Sequence, residues 1–142
     1  MIMLKHKRLL ALLLGLLLPA LAQANAGKVL YAAGDVSVER EELLPLSKGD
    51  LLQQGDVVIT GPGARAQLLM IDGARISLRS DSRLALDTYS IDGGRPSAIA
   101  TQPAEGEVSM RLLKGGLRTI TGAIGKADKE DYSLNTPVAT LG

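Results

Sequence analysis

Four aspartates stand in turn contexts. Asp35, Asp50 and Asp56 each follow a glycine, and Asp72 precedes one. Oxygen ligands on turns are what a calcium ion uses, but a calcium loop sets them at fixed short offsets, as in D-x-D-x-D-G. No such run occurs here, so each carboxylate reads as the closure of its own turn. Gly122-Ala123-Ile124-Gly125-Lys126 ends as a phosphate loop ends, yet that pattern needs glycine where Ile120 stands and a hydroxyl where Ala127 stands. The single histidine, His6, lies in the N-terminal apolar stretch, and no S-x-x-K occurs anywhere. Nucleophilic dyads of the Ser-His, Cys-His and Ser-Lys kinds therefore lack a member. Glu41 and Glu42, like Glu105 and Glu107, sit in loop contexts as solvated charge, and zinc has neither His nor Cys to bind it. The chain reads as non-enzymatic and without a cofactor.

One candidate remains, and it is cationic. Arg75, Arg79 and Arg83 recur every fourth residue, which is same-face spacing if a strand persists, and Arg65 and Ser77 can join the row. Such a row would meet an anionic glycan, a lipid phosphate or an acidic protein. The plainer alternative is a solvated strand face, with Asp81 and Asp87 interleaved and the cations discouraging edge-to-edge pairing.

These side chains must be positioned by short strands. Lys48 to Leu78 alternates apolar runs with turns at Gly49-Asp50, Gly55-Asp56, Thr60-Gly61-Pro62-Gly63 and Asp72-Gly73. Asp72-Gly73 between apolar runs predicts a two-residue type I′ hairpin. That register sets Ile71 opposite Ala74, Leu69 opposite Ile76 and Gln67 opposite Leu78. Upstream, Val29 and Tyr31, then Val36 and Val38, alternate in the same way, and Pro45 keeps Leu43–Leu46 out of a central strand. Downstream, Leu84 and Leu86, then Val108, Met110 and Leu112, continue the pattern. Asp92–Gly106 is a long loop, Gly122–Asp131 a second polar one, and Thr136-Pro137 joins two last short strands. No window shows sustained helical spacing with caps. The fold class is all-β, with short antiparallel strands and tight turns, as a sandwich, a barrel or an irregular solenoid.

The chain has 142 residues, and its start sets the compartment. Lys5, Lys7 and Arg8 precede an unbroken apolar run from Leu9 to Leu18, then Pro19 and small residues suited to cleavage after Ala24 or Ala26. An uncleaved anchor competes with this reading, but the run is short of the ~20 residues that span a bilayer. Residues 1–26 are expected to be a signal peptide and 27–142 one β domain, periplasmic and without a membrane span. Of 16 basic residues three fall in the leader, and none of the 15 acidic ones do, so the remainder carries a net charge of −2. That balance offers no nucleic-acid partner. The absence of cysteine leaves stability to packing and hydrogen bonds. Beyond the leader the aromatics are Tyr31, Tyr89 and Tyr132, too few for a stacking platform.

Taken in order, Gly34-Asp35-Val36, Lys48-Gly49-Asp50-Leu51-Leu52, Gly55-Asp56-Val57-Val58-Ile59-Thr60-Gly61, Asp72-Gly73, Ile76-Ser77-Leu78 and Thr136-Pro137-Val138-Ala139 resemble the FecR domain of bacterial envelope proteins. The resemblance runs over residues 29–142. It implies a periplasmic all-β module without catalysis. It also implies a link to regulators that sense an outer-membrane siderophore receptor and signal to an extracytoplasmic sigma factor. In those regulators a cytoplasmic N-terminal arm holds the sigma factor. A cleaved leader would leave no such arm, and a stop at Gly142 reads as a truncated C-terminal end.

Two functions are expected from this. The first is a sensory or regulatory adaptor that binds another envelope protein through a strand edge or the Asp92–Gly106 loop, with no small-molecule substrate. The second is a structural or ligand-binding module for peptidoglycan or another anionic polymer, carried by Arg75, Ser77, Arg79 and Arg83. In both, Gly49, Asp50, Gly55, Asp56, Gly61, Asp72, Gly73, Thr136 and Pro137 are structural turns.

Overall fold

The computed structural model describes residues 25–91, 105–137 and 140–141. Residues 1–24, 92–104, 138–139 and 142 lie outside the described residues, and with them most of the expected leader and of the expected long loop. Short runs of β-branched and aliphatic residues between glycine turns give twelve strands in two sheets. The first sheet orders β10 (Leu117–Ile120), β7 (Arg75–Leu78), β6 (Arg65–Met70), β1 (Asn25–Ala33) and β4 (Leu51–Gln53) side by side. The second orders β12 (Thr140–Leu141), β11 (Tyr132–Asn135), β9 (Gly106–Lys114), β8 (Arg83–Ile91), β5 (Val57–Thr60), β2 (Val36–Glu39) and β3 (Leu43–Pro45). All neighbours are antiparallel except β9 and β11, which run parallel.

Period-two burial shows where the core lies. Ala66, Leu68 and Met70 of β6 point inward while Arg65 and Gln67 point out, and Val36 and Val38 do the same in β2. Val29, Leu68, Ile76 and Leu78 of the first sheet join Val38, Val58, Leu84, Leu86, Val108, Met110 and Leu134 of the second in one apolar cluster. The two sheets therefore share a core, as the all-β expectation requires. Pro45 stands in β3, the edge strand of the second sheet, where its missing N–H interrupts no ladder.

Two expectations need correction. Gly122–Asp131 is not wholly a loop: Ala123–Ala127 forms one helical turn, α1, whose Ala123 and Ile124 are buried. The hairpin at Asp72-Gly73 is also not a two-residue type I′ turn. Leu68 pairs with Ile76 and Ala66 with Leu78, one position away from the expected register. The Met70 N–H donates to the Ala74 carbonyl at 2.8 Å and the Gly73 N–H to the Met70 carbonyl at 2.9 Å. The turn thus holds Ile71, Asp72 and Gly73, and only Gly73 has positive φ, at 82°. This is the type I turn followed by a left-handed residue that closes three-residue hairpins.

The physical reason lies in the buried rows. The observed register places Ala66 and Leu68 across from Leu78 and Ile76, with Gln67 across from Ser77 on the outer face. The shorter turn would have set Gln67 against Leu78. Gly73→Val is expected to cost about 1–2 kcal/mol, the penalty of a side chain in left-handed backbone. Denaturant melts read it directly, and an unchanged midpoint would refute the turn geometry.

Candidate functional site

The row Arg75, Arg79 and Arg83 does not survive folding as one face. Arg75 lies on the outer face of β7, Arg79 follows that strand, and Arg83 opens β8 in the other sheet. There Arg83 forms an ion pair with Glu39. The chain leaves one sheet for the other at Ser80-Asp81-Ser82, where Asp81 adopts φ 52°. Buried Thr60 and Ser82 hold the crossing: the Thr60 hydroxyl donates to the Arg79 carbonyl at 2.6 Å, and the Ser82 N–H donates to Thr60 Oγ1 at 3.0 Å. The Gly116 N–H donates to Ser82 Oγ at 3.0 Å. A Ser-Asp-Ser cluster is turn chemistry, and it was the signal that the strand ends. Ser77 keeps its place beside Arg75, facing outward and half-buried.

The Gly-Asp turns recur as one device. At Gly49-Asp50 and Gly55-Asp56 an N–H at the aspartate closes onto a carbonyl three residues back, Asp50 to Ser47 and Asp56 to Gln53, each at 3.1 Å. The carboxylate returns the bond, accepting from the Ser47 N–H and the Gln53 N–H at 2.8 Å each. Gly49 and Gly55 occupy the third turn position at φ 93° and 91°, which a type II turn demands of glycine. Gly61 accepts the Asp81 and Ala64 N–H groups at its carbonyl, tying the Thr60-Gly61-Pro62-Gly63 bend to the crossing. Thr136 and Pro137 lie in the connection between β11 and β12.

Asp56 does more than close its turn. It is 2% exposed, and the Arg40 guanidinium grips both its oxygens, Nε to Oδ1 at 2.7 Å and Nη2 to Oδ2 at 2.8 Å. The hydrogen bonds to Asp56 hold the arginine above its ordinary pKa, against the opposing pull of burial. Arg40 Nη2 also donates to the Leu51 carbonyl at 2.9 Å. The pair thereby straps the end of β2 to β4 and to the start of β5. It forms one wall of an open cleft of about 640 Å³ lined by Glu41, Glu42, Leu44, Gln53 and Gln54 as well.

Asp72 is likewise more than a turn residue. It is fully buried, and its Oδ1 accepts from the Tyr89 hydroxyl at 2.6 Å and from the Ala74 N–H at 3.1 Å. Gly122 packs so closely that a Cβ there would lie 2.4 Å from the carboxyl carbon. The Asp72 carbonyl accepts the Ala123 N–H at 2.9 Å, so the hairpin also anchors α1. Burial, with Asp72 beside it, drives the Tyr89 pKa far above its ordinary value. Burial raises Tyr132 in the same direction.

Among the described residues no three of His, Cys, Asp and Glu converge as a metal site would need. What the surface does offer is unpaired apolar edges. Leu43 and Leu44 of β3 are 65% and 38% exposed, and Leu51 of β4 is 53% exposed. Each strand is the last of its sheet.

Compared with known proteins, the chain matches one family model, described as FecR protein, over residues 56–142. The chain belongs to the FecR family. The match opens at Asp56, the buried carboxylate of the third Gly-Asp pair, and takes in Asp72. Strands β1 and β2 precede it in sequence but pair with β6 and β5 inside the two sheets. FecR membership carries a regulatory role in cell-surface signalling and an envelope association. No curated protein and no solved structure gives a match. No helix among the described residues is long and apolar enough to cross a membrane.

Proposed function

We propose that this FecR-family chain is a non-catalytic periplasmic adaptor, exported by an N-terminal leader cleaved after Ala24 so that Asn25 and Ala26 stay in β1, and that it docks another envelope protein at the β3–β4 end. One observation carries the reading: exposed leucines on two edge strands beside the Arg40–Asp56 cleft. Leu44 lines that cleft, Leu43 is its neighbour in β3, and the Leu51 carbonyl is bound to Arg40. Pro45 lacks an N–H on the short β3 edge and Arg40 already holds the Leu51 carbonyl, so new ladder bonds contribute little here. The exposed leucine side chains carry the contact instead, which suits a partner segment seating its own apolar side chains on them. The buried ion pair fixes both edges relative to each other, so the docking geometry is preset.

A photo-crosslinking residue placed at Leu43 in the exported protein should trap a single envelope protein. The same residue at Leu113, exposed but away from the edge, should not. Leu44→Asp should abolish the Leu43 adduct without moving the unfolding midpoint, since the side chain is already part-exposed. Equal adducts from both positions, or an adduct that survives Leu44→Asp, would sink the reading.

A further inference from the structure

We propose that the outer face of the five-stranded sheet is a second binding surface, for the glycan strands of the cell wall and the carboxylates of their peptide stems. It adjoins the leucine edge only at Leu51, which pairs with Lys28, and rests on the adaptor reading only for the periplasmic location. The strands of this sheet carry Lys28, Arg65, Arg75 and Arg118, all exposed, and no aspartate or glutamate. In the seven-stranded sheet the charges are mixed. Arg83 is paired with Glu39, and Arg111 with Asp87 at 2.6 Å. None of the four cations of the first sheet has an ion-pair partner among the described residues. A chain that is net negative outside its leader thus gathers free positive charge on one face.

The ladder fixes how that charge is laid out. Lys28, Leu69, Arg75 and Ile120 lie in one cross-strand row, and Tyr31, Gln67, Ser77 and Arg118 in the next. Lys28 and Arg75 are two strands apart, roughly 10 Å at the usual inter-strand spacing, and Arg118 lies one strand further. Arg75 and Arg118 are diagonal neighbours, at about 7–8 Å, close enough to serve one ligand group. They line a hollow of about 250 Å³ together with Gln67, Ser77, Leu30 and Ile120.

That combination selects among anions. Guanidinium groups take carboxylates in paired hydrogen bonds. Gln67 and Ser77 between them add neutral donors and acceptors for the peptide amides and glycan hydroxyls that flank each stem carboxylate. A lipid headgroup layer would use the charge and offer hydroxyls, but not the amides that pair with both the oxygen and the nitrogen of Gln67. The repeat of cations across the sheet suits a polymer whose carboxylates also repeat.

The test is co-sedimentation of the exported protein, purified from an expressing host, with sacculi stripped of protein by protease. Wild type should sediment, and binding should weaken as ionic strength rises from about 0.05 to 0.5 M, where screening shortens to a few ångströms. Arg75→Glu with Arg118→Glu should lower the bound fraction about tenfold or more. Lys114→Glu with Lys129→Glu makes the same charge change off this face and should leave binding within about twofold. Failure of wild type to sediment, equal loss in both double variants, or undiminished binding to sacculi whose carboxyls are amidated would overturn the proposal. Tighter binding to phosphatidylglycerol vesicles than to sacculi would also overturn it, in favour of a lipid surface. The Leu44→Asp protein should sediment as wild type does, which separates this surface from the edge.

Discussion

Asp56→Ala is expected to destabilise the protein by about 2–4 kcal/mol, among the largest effects of any substitution outside the apolar core. The carboxylate is almost fully buried and makes two charge-assisted bonds to Arg40 and one to the Gln53 N–H. Breaking a buried pair by removing one member typically costs about 3–5 kcal/mol, because the survivor keeps its desolvation without its partner. The lower range applies here because the Arg40 side chain is 28% exposed and can turn to water once released. Arg40→Ala should cost at least as much, since it strands the deeper charge; Asp56 is 2% exposed and cannot turn outward. A double-mutant cycle on urea melts should return a coupling of about 1–3 kcal/mol. If Asp56→Ala moves the midpoint by less than about 0.5 kcal/mol, the strap between β2 and the Gly-Asp turns is not what holds this end together.

The consequence reaches the proposed function. The pair fixes β3 and β4, the two edge strands that carry the exposed leucines, through the Leu51 carbonyl on one side and the β2–β3 ladder on the other. A loosened strap should therefore reduce the Leu43 crosslink even under conditions where the protein stays folded. Stability and docking are coupled at this end, whereas Arg75 and Arg118 stand three and four strands away from β4 across the five-stranded sheet.

Much of this fold was legible because its signals are local. A glycine that must take positive φ, followed by an aspartate able to accept an N–H three residues back, declares a turn wherever it occurs. Both Gly-Asp turns formed in that way. Alternation did the same for β2, β6 and β7. The hairpin register escaped, because Asp-Gly serves a two-residue and a three-residue turn alike. What decides between them is the match of buried rows across the pair, together with the buried Asp72 carboxylate. The Arg75–Arg83 row failed for a related reason. Spacing by four says which residues share a face only while the strand lasts, and the Ser-Asp-Ser turn ends it. Arg40–Asp56 and Asp72–Tyr89 could not be read at all. The first extends the β2–β5 ladder by one position and the second joins the two sheets, across separations of 16 and 17 residues that no periodicity records. The cationic face was hidden likewise, since Lys28, Arg75 and Arg118 come together only through the strand order β10-β7-β6-β1.

At Asp72 the expected result has two readouts, stability at neutral pH and its loss in alkali. Asp72→Ala should cost about 2–5 kcal/mol, because it leaves the Tyr89 hydroxyl and the Ala74 N–H buried without acceptors, at about 1–3 kcal/mol each. Tyr89→Phe removes the donor instead and should cost about 1.5–3 kcal/mol, the worth of a hydrogen bond to a charged group. The pH dependence follows from the direction of the tyrosine shift. The Tyr89 pKa is raised on folding, chiefly by burial and then by Asp72, so the native state keeps its phenolic proton longer than the unfolded chain does. Below about pH 10, the ordinary tyrosine value, both states hold the proton and its contribution to stability is intact. Above it the unfolded chain binds fewer protons than the native one, and stability falls by about 1.4 kcal/mol per pH unit. The advantage of wild type over Tyr89→Phe should therefore be constant up to about pH 10 and shrink steadily beyond it. Tyr132, shifted the same way, leaves a residual alkaline slope in the Phe variant. Paired urea melts between about pH 7 and 11 measure this difference. An advantage that stays constant through pH 11 would mean that Tyr89 ionises as readily in the folded protein as in the unfolded chain, and the buried Asp72–Tyr89 bond would have to be abandoned.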